Sequence, residues 1–370
     1  MLHNIIITEK RIVNYIDIKA KHSKQKMKMK KMIKTLCLTA LLIIANGAMA
    51  QSDTIVSVKP FKHLDLNITT GTTGLGIELA TPISDMFSVR AGYSFVPKFH
   101  HNMDFAIQVG EEAESKWDEN GNRVETKFDR LAKRLEEVTG MTVDDNVRMI
   151  GEPTFHNWHL LVDVRPFRNK SWHLTTGFYF GPSDIAKAYN STEEMQTLMG
   201  VNLYNNIYDK VLNREPIYGD IYLSPWEGIG EQLIQYGRMG ILVGEFANQY
   251  KTDSDGNIMK DADGNPIRKT YFMEPDADGM VKATMKVNSF KPYLGFGYGG
   301  RISKKSDEYY ISFDCGVMFW GGKPDLITHD GTNLSKDVII ARGDVKSYVD
   351  LMNKFCVYPV INLKLTKRIF

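Results

Sequence analysis

The sequence is 370 residues long and carries 46 Lys and Arg against 44 Asp and Glu, a formal net charge of +2. A chain so close to neutral offers no electrostatic case for a nucleic-acid partner. Its three cysteines are too few for a disulfide framework or a cysteine-based metal site, and no cofactor-binding or metal-ligand spacing stands out.

In chain order, residues 1–26 match no targeting pattern. The next stretch, KMKKMIKTLCLTALLIIANGAMA (28–50), has a basic region in Lys28, Lys30, Lys31 and Lys34. An apolar region follows from Leu36 to Ala45, and then the A-x-A cleavage site Ala48-Met49-Ala50. This reads as a secretory signal peptide, too short for a stable spanning helix. Cys37 lies inside the apolar region rather than just after the cleavage site, which disfavours lipoprotein processing. Translation from Met27 or Met29 would account for the extension before it. Residues 1–50 are therefore set apart from the fold, and 51–61 form a short periplasmic lead. The remainder, about 320 residues, is enough for one large domain or two small ones. It contains no apolar run of about 18 residues, which excludes helical membrane spans.

From residue 62 onward, eight stretches alternate apolar with small or polar residues. They are HLDLNIT, TGLGIELAT, FSVRAGYSF, WHLLVDVRP, WHLTTGFYF, PYLGFGYGGR, YYISFDCGVMFW and the terminal CVYPVINLKLTKRIF. In the second, Leu75, Ile77 and Leu79 share a face opposite Gly74, Gly76 and Glu78. In the last, Ile361, Leu363 and Leu365 oppose Asn362, Lys364 and Thr366. Tilted strands of about 9–11 residues cross a bilayer. The face rich in Gly, Ser, Thr and charge suits a narrow lumen, and the apolar face with aromatic ends suits lipid.

Connection lengths separate a membrane barrel from a soluble sandwich. The connections ISD, RNKS and SKKS are short, whereas 98–152, 182–286 and 322–355 are long. Short and long alternate apart from a tight first turn near Gly71, as in barrels with short periplasmic turns and long extracellular loops. The expectation is an all-β, antiparallel, up-and-down transmembrane barrel of about eight strands over 62–370, with long, partly helical extracellular loops. If GILVGEFANQY and KTYFM also enter the membrane, the barrel has ten strands.

The stretches TTGLGIELATPISDMFSVRAGYSF, LLVDVRPF…WHLTTGFYF, KPYLGFGYG, ISFDCGVMFWGGKPDL and YPVINLKLTKRIF resemble a family of small outer-membrane β-barrel proteins. The resemblance spans the strands and not the long loops. It implies a single barrel behind a signal peptide, located in the outer membrane, with no enzymatic activity. It also implies that Phe370 is the terminal aromatic recognised by the barrel-assembly machinery. Leu363 and Leu365 are one residue out of phase with Phe370, which a single-residue bulge would restore.

The lumen face carries the candidate site. A hairpin symmetric about Ser84 places Glu78 opposite Arg90, with Asp163 on the next strand and Arg165 one step lower. Charges in a packed lumen must pair, so these four are expected to form a structural cluster. His63, His159 and His173 also face inward. Lipid-modifying barrels use a His with a Ser and an acid, but that chemistry belongs at the lipid-exposed wall and no Ser–acid pair is spaced beside these histidines. DENGN (118–122), DSDGN (253–257), DADGN (261–265) and DADG (276–279) lack the final Glu of an EF-hand loop and read as hairpin turns. FDRLAKRLEEV puts Phe128, Leu131, Leu135 and Val138 on one helical face, and further helices are expected in TEEMQTLMGVNLYNNIYDKVL and DVKSYVDLMNKF.

The functional expectation is a non-enzymatic outer-membrane protein whose loops bind an extracellular ligand or protein, with lipid and the assembly machinery as partners. The alternatives are a narrow conduit for a small apolar solute and a lipid-modifying enzyme. Cys315 falls on the lipid face and Cys356 on the lumen face, so their side chains cannot meet. Non-reducing peptide mapping by mass spectrometry is expected to find no Cys315–Cys356 disulfide; finding one would mean a strand is out of register.

Overall fold

A strand that alternates its side chains can face two environments at once, and a sheet of such strands with no free edge must close. The computed structural model describes residues 61–370 except 113, 167–170, 254, 304–307 and 341–342, all within the second of the chain's two units, Lys59–Phe370. The signal segment, the lead as far as residue 60, and most of the RNKS and SKKS turns lie outside the described residues.

The first hairpin is β1 (Asp65–Gly71) and β2 (Gly74–Pro82), joined by Thr72 and Thr73. Gly74 takes φ +84°, a conformation a side chain would strain, which lets this turn close. After β3 (Phe87–Phe95) the first insertion contributes β4 (His101–Val109), α1 (Lys127–Thr139) and β5 (Asn146–Pro153). β6 (His156–Val164) and β7 (Trp172–Phe180) follow. The second insertion holds β8 (Asp184–Asn190), α2 (Met195–Asn213), α3 (Gly228–Tyr236), β9 (Met239–Tyr250), β10 (Arg268–Met273) and β11 (Lys282–Lys286). Then come β12 (Phe290–Arg301) and β13 (Tyr309–Met318). The third insertion holds β14 (Asp325–Thr328), β15 (Val338–Ile340) and α4 (Gly343–Lys354), and the chain ends on β16 (Tyr358–Arg368).

Eight strands close an antiparallel barrel in the order β1-β2-β3-β6-β7-β12-β13-β16, with β16 paired back onto β1. They are the eight alternating stretches of the sequence. GILVGEFANQY and KTYFM form β9 and β10 of a second sheet, so the barrel has eight strands and not ten. Every strand presents apolar side chains outward: Ile68, Ile77, Phe95, Leu160, Leu174, Phe296, Phe313 and Leu363 are all exposed. Aromatic rings collect at both ends of this belt. Trp172, Tyr298 and Tyr309 sit at the end with the short turns, and Phe95, Trp158, Phe180 and Phe290 at the end with the insertions.

The β2–β3 hairpin is centred one residue later than the sequence reading placed it. Ile83 and Ser84 both donate to the Phe87 carbonyl (2.8 and 3.1 Å), and Glu78 pairs with Gly92 while Ala80 pairs with Arg90. A two-residue offset keeps every side chain on its own face. At the C-terminus, Leu64 N–H donates to the Phe370 carbonyl (3.2 Å) and Ile369 N–H to the Leu64 carbonyl (2.8 Å). Two residues thus face one, the spacing of a bulge, and Phe370 is exposed beyond it.

The three insertions share one antiparallel sheet, ordered β10-β9-β4-β5-β8-β11-β14, with β15 also pairing β9. The third insertion supplies β14 at one end of that order and β15 beside β9 near the other. Tyr271 on β10 bonds Thr328 at the end of β14 (3.0 Å) and Asp330 just after it (2.9 Å), so the sheet curls round to join its ends. Its core draws Ile107 and Val147 from the first insertion, Leu198 and Met239 from the second, and Val345 and Val349 from the third.

α1 starts at a capping box between Thr126 and Asp129 and stops at Gly140. Phe128 and Leu131 are buried beneath it, whereas Val138 is exposed, because the last turn of the helix runs past the core. Cys356 also departs from expectation. It is exposed in the bend before β16 rather than on the lumen face, and both Cys315 and Cys356 are free.

Leu198 is almost fully buried in the insertion core. Leu198→Ala is expected to cost the insertion sheet about 3 kcal/mol, with the barrel unaffected. Limited proteolysis of the insertions at rising temperature, alongside the gel mobility of the unboiled barrel, separates the two parts.

Candidate functional site

An eight-stranded lumen is narrow enough for one long side chain to reach the opposite wall. Arg90 on β3 does so. Its Nη1 donates to Glu78 Oε2 on β2 (3.3 Å) and to Asp314 Oδ2 on β13 (2.9 Å). Its Nη2 lies 3.0 Å from Asp163 Oδ1 on β6 and 3.4 Å from Thr175 Oγ1 on β7. Thr175 in turn donates to Asp163 (2.8 Å).

Further groups face Asp314 and Glu78. Lys364 of β16 donates to Asp314 Oδ2 (3.2 Å), and His173 Nε2 lies 2.9 Å from Asp314 Oδ1. His159 Nε2 lies 3.0 Å from Glu78 Oε1, and Asn67 of β1 donates to Glu78 Oε2 (3.2 Å). The eighth strand, β12, supplies space. A Cβ on Gly297 would collide with Asp314 Oδ1 and His173 Nε2. Every member of the cluster is buried. Three carboxylates meet two full cations, and the Nε2 atoms of two imidazoles face the remaining oxygens of Glu78 and Asp314.

The structure therefore brings together Glu78, Arg90 and Asp163 but not Arg165. Arg165 lies past the end of β6, half-buried, and donates to Ser88 Oγ (3.0 Å). Spacing alone missed Asp314 and Lys364. Both alternate onto the lumen face, but their strands are far from Arg90 in sequence and only barrel closure makes them neighbours. His63 sits before β1 at the short-turn end, 3.3 Å from Asp65.

A second layer lies above this cluster, toward the insertions. Leu161, Tyr179, Tyr293, Met318 and Val360 point inward from the barrel and pack with Phe155, Ile185 and Trp320 from the rim and insertions. At the same end, Lys291 is wholly buried, and its Nζ donates to Asn157 Oδ1 (3.0 Å) and to the carbonyls of Ser289 (3.2 Å) and Pro182 (3.4 Å).

The Asp-Gly motifs are hairpin turns. Asp118, Asp253, Asp261 and Asp276 each accept two backbone N–H groups from their own turn, leaving no open cage of oxygens. Among the described residues no cluster of His, Cys, Asp and Glu could hold a metal ion.

No protein-family model matches the chain, and no curated protein matches it. Among solved structures the chain is similar to CarO2 and CarO of Acinetobacter baumannii, each at 12% identity and TM-score 0.31 over 83% of this chain and 98% and 97% of theirs. It is also similar to a major outer membrane protein from Thermus thermophilus, at 11% identity and TM-score 0.26 over 83% of this chain and 98% of that one. At these scores the likeness adds nothing to what the barrel itself establishes.

Removing Arg90 alone strands three buried carboxylates around Lys364. Removing it together with two of them leaves the Lys364–Asp314 pair balanced. Arg90→Met is therefore expected to destabilise the barrel by about 3–5 kcal/mol, and the triple variant Glu78→Gln, Arg90→Met, Asp163→Asn by less. Unfolding in urea from detergent checks the order; equal midpoints would mean that water screens the cluster.

Proposed function

We propose that the protein is an integral outer-membrane barrel that carries a folded, non-enzymatic binding module on the cell surface. The observation that carries the membrane part is the continuous apolar belt on all eight strands, closed above and below by aromatic rings. A belt of that extent is costly in water and matches the girdled lipid face of outer-membrane barrels. Placing the short turns in the periplasm puts both barrel ends there, and puts the insertions outside.

The binding part is supported by the insertion sheet. Between α2 and α3, a loop projects Tyr218, Ile221, Tyr222 and Trp226, and Tyr218 and Trp226 are 80% and 72% exposed. Arg214 stacks over the Trp226 ring at 5.6 Å. The module's core leaves these side chains out, and exposed aromatics with arginine are the composition of interface hot spots. A conduit has against it the two filled layers of the lumen. A lipid-modifying enzyme has against it the position of His159 and His173, which face carboxylates deep inside the barrel rather than at its outer wall.

The protein is expected to fractionate with outer membranes, to migrate faster unboiled than boiled, and to lose its insertions to protease added to intact cells. Recovery in the soluble periplasm would refute the membrane reading. Planar-bilayer recordings are expected to stay at background conductance. Deleting Phe370 is expected to slow assembly, read as accumulation of unfolded, protease-sensitive chain; assembly at the parental rate would remove Phe370 from that role.

A further inference from the structure

A cavity of about 820 Å³ opens on the outer wall of the barrel, where the rim meets the insertion sheet. Its lower wall belongs to the apolar belt. Tyr93 and Phe95 of β3 and His156 of β6 line it, and Tyr93 stacks against Trp158 at 4.9 Å and His156 at 5.9 Å. Its upper wall comes from the insertions and carries Lys98 and Lys187. A molecule seated here has hydrocarbon along one side and cations along the other.

The charges do not balance. Lys98 pairs with Glu152 (2.7 Å) and Lys286 approaches Asp184 (3.5 Å), and Lys187 lies opposite Glu152 across the β5–β8 pair. Three lysines thus share two carboxylates. Lys291 adds a fourth cation behind the cavity. Two of its three acceptors, the Pro182 and Ser289 carbonyls, belong to residues that line the cavity. Three oxygen acceptors match the three N–H donors of an ammonium, and among the described residues no carboxylate pairs with it. A buried charge held by neutral oxygens and by the Phe155 ring, 5.8 Å away, is costly, and an anion nearby offsets that cost.

We propose that this cavity binds a phospholipid of net negative charge from the surrounding leaflet, its acyl chains along Tyr93, Phe95 and Trp158 and its phosphate at Lys187, above Lys291. The proposal rests on the membrane reading given above. It adds a lipid site at the joint between barrel and module, where a bound head group would tie β5 and β8 to the rim.

The test uses the full chain in neutral detergent, titrated with dilauroyl phosphatidylglycerol, with dilauroyl phosphatidylcholine and with inorganic phosphate, and read by native mass spectrometry. One phosphatidylglycerol is expected to stay bound where phosphatidylcholine does not, and inorganic phosphate is not expected to displace it. Lys187→Gln is expected to weaken retention about threefold, and Lys291→Met, which removes a cation behind the cavity whose donors are already taken, by no more than that; if Lys291→Met does not fold, Lys187→Gln decides alone. Equal retention of both lipids, or parental retention in the variants, overturns the proposal. Displacement by phosphate alone makes the site one for a free anion and also overturns it. A chain that inserts into vesicles without lipid preference refutes only the lipid site, whereas one that does not insert refutes the membrane reading beneath it.

Discussion

Arg90 holds the barrel to a single solution. A guanidinium in a poorly hydrated lumen must find its partners, and it finds them on strands that the chain reaches some 224 residues apart. Glu78, Asp163 and Asp314 come from three different walls, and each is held in turn by a second group: Asn67 and His159, Thr175, or Lys364 and His173. A slip of one residue in any of these strands would send its charge into the apolar belt and leave the others unpaired. Strand number belongs to the same argument. A wider barrel would put Asp314 out of reach of Arg90, and without Gly297 on β12 there would be no room for Asp314 and His173 to meet.

The insertion sheet depends on that closure. Its strand order interleaves all three insertions, with β4 between β9 and β5, with β14 at one end and with β15 beside β9 on the edge that β4 also pairs. None of the insertions can complete it alone. The barrel brings their roots to one rim, and Tyr271 fastens the two ends of the sheet. Between the two parts lies the layer of Tyr179, Tyr293, Met318 and Trp320, which belongs to both.

The barrel was largely legible in the sequence because its information is local. Each strand declares its two faces by alternation, as in FSVRAGYSF and WHLTTGFYF, which became β3 and β7 residue for residue. The pairing of Arg90 with Glu78 survived a wrong hairpin centre, because the error was two residues and a side chain as long as arginine spans that step. Arg165 failed for the opposite reason. It lies beyond the end of its strand, where alternation no longer dictates direction. The second sheet was only partly legible: GILVGEFANQY and KTYFM stand out as possible strands, but β9 is buried over consecutive residues, Met239 to Ile241, which weakens its period-two signal. Its pairing order is a property of three distant segments together. The loop of Tyr218 to Trp226 carries no pattern at all; its exposure emerges only once the core beside it is complete.

The interleaved order of the insertions also sets a timetable for folding. β15 and α4 precede only β16 in the chain. The insertion sheet therefore lacks β15 until the third insertion joins it, and it cannot fold as a finished body before barrel strands β12 and β13 are made. Each of its segments is rooted between two barrel strands, and the core around Leu198 and Val349 assembles only once all three insertions are in place. Folding then has two separate endpoints: the seam between β1 and β16, and, in the insertion sheet, the bond from Tyr271 to Thr328.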